Sequence, residues 1–463
     1  MAISAPGVGS GLDIKGIVSQ LMELEKKPLT QLTTQATGFQ AKLSAFGQLK
    51  SQMANLQDQA AKLANPVNWD GLSFSSSNTA AVSGSVNTAT AQASSFSVQV
   101  SQLAQAQAAA TSVFAEGKTF GAGQLTIDLG SWSGNSFTAG SAAAVNIDIT
   151  AGDDLADVVA KINASGAGVS ATVLKDASGE RMVLKSDATG VASAFRLRSS
   201  GASDLEDLRY NQAVAGAGMN RTQEALNTLA TVNGVSVTST NNTLTNAVPG
   251  VTLNFLQVTS GAVNVKVAQD TATLRGNITG LVQSYNALSA ALREMTKYEP
   301  GTDTAGTLQG DSTATGLQGA LRRLFSDRGP ASSSFGRLSD MGLAFQLDGS
   351  LKVDEAKLTK ALESPQELED FFSNAAGGLA VRIEAFSKGM LGASGGVASR
   401  YTAIQNAIQR NTKDQARLSD KIERTEARLL AQYSRLDGTM ASLNALSSYV
   451  NQQITSWNSQ KSN

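Results

Sequence analysis

The sequence contains neither cysteine nor histidine. Those two absences remove disulfides, zinc-thiolate sites, cysteine nucleophiles, histidine general bases and Ser-His-Asp triads together. No enzymatic activity and no cofactor are expected. Charged residues make up 16% of the chain, below the usual quarter, and 37 lysines and arginines face 38 aspartates and glutamates. With a net charge of -1 there is no overall basic field for nucleic acid or an anionic membrane. No apolar run is long enough to cross a bilayer, so no membrane span is expected. The N-terminus "MAISAPGVGSGLDIKGIVSQLMEL" lacks a basic region followed by an apolar core, and no cleavable secretory signal is expected.

Helix breakers are scarce where the helical period is strongest. No proline follows Pro365, and Gly438 is the only glycine after Gly396. Ile404, Ile408, Asn411, Gln415, Leu418, Ile422, Thr425 and Leu429 step in fours and threes, the mark of a coiled-coil stripe. One stutter at Leu429 to Tyr433 precedes Leu436, Met440, Leu443, Ser447, Val450, Ile454 and Trp457. Arg410, Lys413, Arg417, Lys421, Arg424 and Arg428 form a basic flank beside this seam. Two readings of the flank stay open, a solvated face with partners such as Asp414, Asp420 and Glu423, or an electrostatic contact between subunits.

A similar stripe opens the chain. Asp13 is placed to cap a short helix with Ile14, Ile17, Val18, Leu21 and Leu24 on one face, which Pro28 ends or kinks. A longer stripe then runs from Leu29 through Phe46 and Leu56 to Leu63. A stripe this narrow needs a partner, so the two termini are expected to pack on each other or on neighbouring copies. A third stripe covers Leu274, Ile278, Leu281, Tyr285, Leu288, Leu292 and Met295.

Between the stripes the period changes to two. Phe96, Val98 and Val100 alternate as in a strand, as do Val232, Val235, Val237, Val251, Leu253 and Phe255. Val145, Ile147 and Ile149 lead into a helix capped by Asp153 or Asp154, followed by two strands about the turn Asp176 to Gly179. Later signals are a helix capped by Asp311, a hairpin about Asp348 and Gly349, and a capping box of Ser364 and Glu367 with Pro365 at the first helical position.

The expected fold is α+β and multidomain, with a helical coiled-coil-like stalk from both termini. A β-rich domain is inserted in it, and a smaller α+β domain is nested within that. The expected partition is residues 1–34 and 401–463 as terminal leg segments, 35–72 with 268–400 as the helical stalk, 73–116 with 228–267 as the β-rich domain, and 117–227 as the inner insert.

Apparent chemical motifs dissolve on spacing. "GKT" at Gly117 has Ser112 where a phosphate loop needs glycine, and "GVGSGL" at Gly7 has Leu12 in the third glycine position of a dinucleotide fingerprint. "LDGSLKVDEAKL" lacks the ligand spacing of a calcium loop.

With these segments laid out, "GVGSGLDIKGIVSQLMELEKKPLTQL" closely resembles the opening of the flagellar hook-associated protein 2 family, the filament-capping proteins. "FSVQVSQLAQAQ", "GTLQGDSTATGLQGALR", "MGLAFQLDGSLKVDEAKLTKAL" and "LDGTMASLNALSSYVNQQI" resemble later landmarks of that family. "INASGAGVSATVLKDASGERMVLKSDATG" is similar to an insert seen in flagellar axial proteins.

The resemblance implies a non-enzymatic homo-oligomeric ring, with a pentamer favoured, at the distal tip of the flagellum. Exported flagellin polymerises beneath it. It also implies export by the flagellar type III apparatus, a cytosolic chaperone on the C-terminal helix, and the hook-filament junction protein as a neighbour. Leu12, Ile14, Ile17 and Leu21 at the front, and Leu443, Leu446, Val450 and Ile454 at the back, are the expected leg contacts with filament or self. Some family members bind host mucin, which these residues do not decide. A junction protein of the flagellar axis and a surface adhesin stay open as competing readings.

Overall fold

The structure is a computed structural model that describes residues 13–213, 218–301, 304–330 and 333–460. Two compact units make up the chain. One is formed by Met1–Trp69 with Thr271–Asn463, the other by Asp70–Asp270. In chain order the described helices are α1 (Ile14–Ala64), α2 (Leu155–Ala164), α3 (Thr271–Thr296), α4 (Ser312–Ser326), α5 (Glu355–Ala361), α6 (Pro365–Ser373), α7 (Leu379–Leu391) and α8 (Gly396–Gln460).

Asp13 caps α1 as its position suggests, its carboxylate accepting the Gly16 N–H at 2.9 Å. A Cβ on Gly16 would stand 2.3 Å from that carboxylate, so glycine there lets the cap close. Pro28 does not end the helix, for α1 runs 51 residues through it. Proline removes one N–H, whose acceptor would be the carbonyl of Leu24 in a turn where the side chain is 60% exposed and water can serve instead. Met22 and Leu29 on either side pack against α8 and carry the helix across.

The core of the helical unit forms where three stripes meet. Phe46, Leu49, Met53 and Leu56 of α1 join Leu274, Ile278, Leu281, Tyr285 and Leu288 of α3, Ile383 of α7, and Val397 and Ile404 of α8. Each such side chain contributes about 1.5–3 kcal/mol by leaving water. Asp311 caps α4 as expected and also accepts from Arg400 of α8 at 3.0 Å, tying the two helix starts together.

The hairpin of Leu343–Phe345 and Leu351–Val353 is pinned at its tip. Tyr285 donates to the Gly349 carbonyl at 3.1 Å, Arg293 donates to the Asp348 carbonyl at 2.7 Å, and Asn286 exchanges two hydrogen bonds with Leu351. The Asp348 carboxyl is drawn down to about 2, first by the Ser350 hydroxyl and N–H, then by Arg293. The expected capping box at α6 is absent. Ser364 makes no side-chain cap, and Glu367 is engaged elsewhere, accepting the Ser334 N–H at 2.6 Å. Pro365 does occupy the first turn.

In the second unit two cores form separately. Strands Leu72–Ser76, Val263–Gln269, Ser94–Gln102, Thr228–Val232 and Val235–Ser239 lie in that order as one antiparallel sheet. With the three-stranded sheet of Thr243–Val248, Val251–Phe255 and Val82–Val86 it encloses Phe96, Val98, Val100, Leu253, Phe255 and Val265. Val235, expected to face inward, is exposed because it sits beside the Asn233–Gly234 turn on the edge strand.

The other core gathers Leu125, Ile127, Ile147, Ile149, Met182 and Leu184 beneath Leu155, Val158 and Ile162 of α2. Here Asp154 rather than Asp153 caps the helix, in a capping box with Asp157. Strands Val169–Asp176 and Gly179–Ser186 form the expected hairpin. Ahead of Val145, strands Gly123–Ser133 and Ser136–Ala139 pair, with the Trp132 and Phe137 rings 4.9 Å apart.

Candidate assembly surface on the terminal helices

The terminal helices pack antiparallel. Going down α1 from Gly47, which faces Tyr401, through Leu32, which meets Asn411 and Gln415, the partner positions on α8 rise. At the far end Ile14, Val18 and Met22 are buried with Ile422, and Leu29, Leu418, Leu429, Leu430 and Tyr433 pack around them. The spacing of fours from Ile14 to Val18 to Met22 turns this face away from Leu21 and Leu24, which are exposed. Ile17 is half-buried, and Leu12 lies outside the described residues.

Midway along the pair the seam becomes polar. Asn411 is 5% exposed, and its amide donates to the Leu32 carbonyl at 3.1 Å. Its own carbonyl accepts from Gln415 at 2.5 Å, while Gln415 also reaches the Leu32 carbonyl at 3.4 Å. A buried polar pair of this kind satisfies itself in one axial setting only, which fixes register at a cost in stability.

Beyond Tyr433 the apolar positions of the seam are exposed, although Asp437 beside them is buried. Ile404 and Ile422 are buried, and Ile408, Leu418, Leu429 and Tyr433 are half-buried. Leu436, Met440, Leu443, Leu446, Val450 and Ile454 are all exposed, from 37% at Met440 to 57% at Leu446, and Trp457 reaches 76%. From Leu436 to Trp457 this is an apolar strip about 30 Å long at the helical rise. The helix runs through Gln460, so the strip is presented on helical backbone. It is an apolar face larger than scattered surface leucines would make, and such faces mark binding surfaces.

The basic flank is exposed along its length. Among the described residues only Arg417 has an ion-pair partner on this row, Asp414. No metal-holding cluster of acidic residues is found among the described residues, and no described helix is long and apolar enough to cross a membrane. What the surface can do is bind other chains, through apolar area and positive charge on one helix.

Reading by period located the seam and its polar interruptions, and it missed Met22 and Leu430, which pack in the contact. Met22 keeps the spacing of fours from Ile14 and Val18, but Leu21 and Leu24 compete for the same stripe, and the partner helix decides between them.

Comparison with known proteins identifies the family. The family patterns described as "Flagellar hook-associated protein 2 N-terminus" and "Flagellar hook-associated protein 2 C-terminus" match residues 10–107 and 225–445, and the "Flagellin hook IN motif" matches residues 125–188. Flagellar hook-associated protein 2 of Escherichia coli K12 is 32% identical, covering 98% of each chain. Its counterpart in Salmonella typhimurium is 30% identical over 99% of each chain. The crystal structure of the flagellar cap protein FliD D1-D2-D3 domains from Escherichia coli is 29% identical, with a TM-score of 0.55, covering 78% of this chain and 99% of that one. Two terminal helices enclosing a β-rich insert, with similarity along nearly the whole length, place this chain in the flagellar hook-associated protein 2 family.

Proposed function

We propose that this protein is a structural cap at the distal end of a bacterial flagellar filament, where it self-associates and promotes polymerisation of exported flagellin beneath it. Within that reading it is extracellular and leaves the cell through the flagellar type III apparatus, after carriage by a cytosolic chaperone that covers α8. A pentameric ring and the hook-filament junction protein as a neighbour belong to the same reading. Its role is mechanical and not catalytic.

The observation that carries this is the continuation of the buried α1–α8 seam into an exposed apolar strip from Leu436 to Trp457. Such a strip suits contacts that form and release as subunits are added, because single exposed side chains bind shallowly and dissociate fast. Leu443, Leu446, Val450 and Ile454 are assigned to it, with Leu12, Ile14, Ile17 and Leu21 at the front of the leg. The two separate cores of residues 70–270 support a β-rich domain of 73–116 with 228–267 and an inner domain of 117–227.

Complementation of a cell lacking its own filament cap tests the reading. The full chain should restore filaments and hold flagellin on the cell. A chain lacking residues 1–25 should leak flagellin into the medium, and normal filaments from that deletion would refute the assignment of the front contacts.

A further inference from the structure

We infer that the basic flank of α8 is one half of a contact between two copies of this chain, and that the acidic flank of the same helix in the neighbouring copy is the other half. This rests on the self-association proposed above and names the surface that carries it.

At about 100° per residue, and measured from Ile422 in the seam, Arg417, Lys421, Arg424 and Arg428 lie roughly 100–160° to one side. Glu423 and Glu426 lie roughly 40–100° to the other. The two faces therefore differ in sign across the buried seam. Both occupy the same stretch of helix, so a neighbour standing alongside at the same height sets acid against base with no axial slide. A contact between two different faces of one chain is heterologous, and heterologous contacts related by rotation close into rings.

The charges are unspent within the chain. Among the described residues, Lys421, Arg424 and Arg428 make no ion pair, nor do Glu423 and Glu426. Arg417 and Lys421, Lys421 and Arg424, and Arg424 and Arg428 are spaced by three or four residues, where like charges repel on a free helix. Asp420, three residues from Arg417 and four from Arg424, offsets part of that repulsion, and an acidic surface from outside relieves the rest. The row also borders an open surface groove lined by Arg417, Lys421, Arg424 and Arg428 with Asp420 and Thr425, into which a second helix can lay side chains. Charge arranged in this way sets the register and partner of a helical contact more than its raw strength.

The test uses the full chain and three variants. One carries Lys421→Glu, Arg424→Glu and Arg428→Glu, one carries Glu423→Lys and Glu426→Lys, and one carries all five. Sedimentation at low salt should show each partial reversal self-associating about tenfold or more weakly than the parent. The five-fold reversal should recover to within about threefold, and an equimolar mixture of the two partial variants should co-assemble. Far-ultraviolet circular dichroism should stay unchanged, because the substituted side chains face solvent or are only partly buried.

Parent-like assembly of the basic reversal overturns the inference, as does a five-fold reversal that stays as weak as the partial ones. Parent-like assembly combined with flagellin leakage also overturns it, because the row would then serve a different partner. Failure of the unaltered chain to retain flagellin would instead overturn the capping function, so the two failures are distinct.

Discussion

Replacing both Asn411 and Gln415 with leucine is expected to strengthen the pairing of the terminal helices, whereas Asn411→Ala alone should weaken it. The double change removes the Asn411 bond to the Leu32 carbonyl, the bond between the two amides, and a third from Gln415 to the same carbonyl that at 3.4 Å is too long to add more than a few tenths of a kcal/mol. At about 0.5–1.5 kcal/mol net for each neutral hydrogen bond, the loss is roughly 1–3 kcal/mol. One leucine enters a site only 5% exposed and the other a half-buried one. Full burial contributes about 1.5–3 kcal/mol, so the two leucines return roughly 2–4 kcal/mol and the balance favours pairing by about 1 kcal/mol. Alanine fills none of the space and leaves the half-buried amide of Gln415 without its main acceptor, a loss of roughly 1–3 kcal/mol. Amide hydrogen exchange over residues 14–36 of α1 reads the local opening of this pair. Exchange there should slow about fivefold in the double-leucine chain and quicken about fivefold or more in the alanine chain. The stabilised chain is expected to retain flagellin less well, because its legs separate less readily. Faster exchange in the double-leucine chain, or parent-like exchange in the alanine chain, would refute the reasoning.

Leu443→Ser with Val450→Ser should leave thermal stability within about 0.5 kcal/mol, since both side chains are already exposed, yet release flagellin into the medium of complemented cells. Glu367→Ala should destabilise the helical unit by at most about 1 kcal/mol in urea titration, since water replaces the carboxylate at the exposed Ser334 N–H, while Ser364→Ala should be nearly silent because Ser364 makes no cap. The Asp348 carboxyl is held at about 2, below its unfolded value of 3.8, so its contribution is complete above that value and lost as pH falls through about 2. An NMR titration should show that midpoint, and Asp348→Asn should remove this part of the acid dependence. A midpoint near 3.8 would mean that Ser350 and Arg293 do not hold the carboxylate.

Local signals were legible where a short stretch determines its own structure. Asp13, Asp154 and Asp311 cap their helices because capping is settled within three residues, and the hairpins at Asp176 and Asp348 follow from turn chemistry. The stretch similar to a flagellar axial insert falls almost wholly within the matched motif of residues 125–188. Signals failed where distant contacts outweighed them. Pro28 sits inside a helix held from both sides by α8, and Glu367 left its expected cap for a loop more than thirty residues away in sequence.

By itself, then, the sequence determined that two narrow apolar stripes at the ends of the chain must find partners, since neither can cover itself. It also determined that polar residues interrupt the later stripe and that chemistry needing histidine or cysteine is absent. Only the tertiary structure decided how far the two stripes cover each other. The described apolar contacts between them end near Tyr433, and Asp437 is the last buried residue of α8 among those described. The same apolar period is therefore core at Ile422 and open surface at Val450. Periodicity reports which side of a helix is apolar, and the reach of the neighbouring helix decides which part of that side remains free to bind.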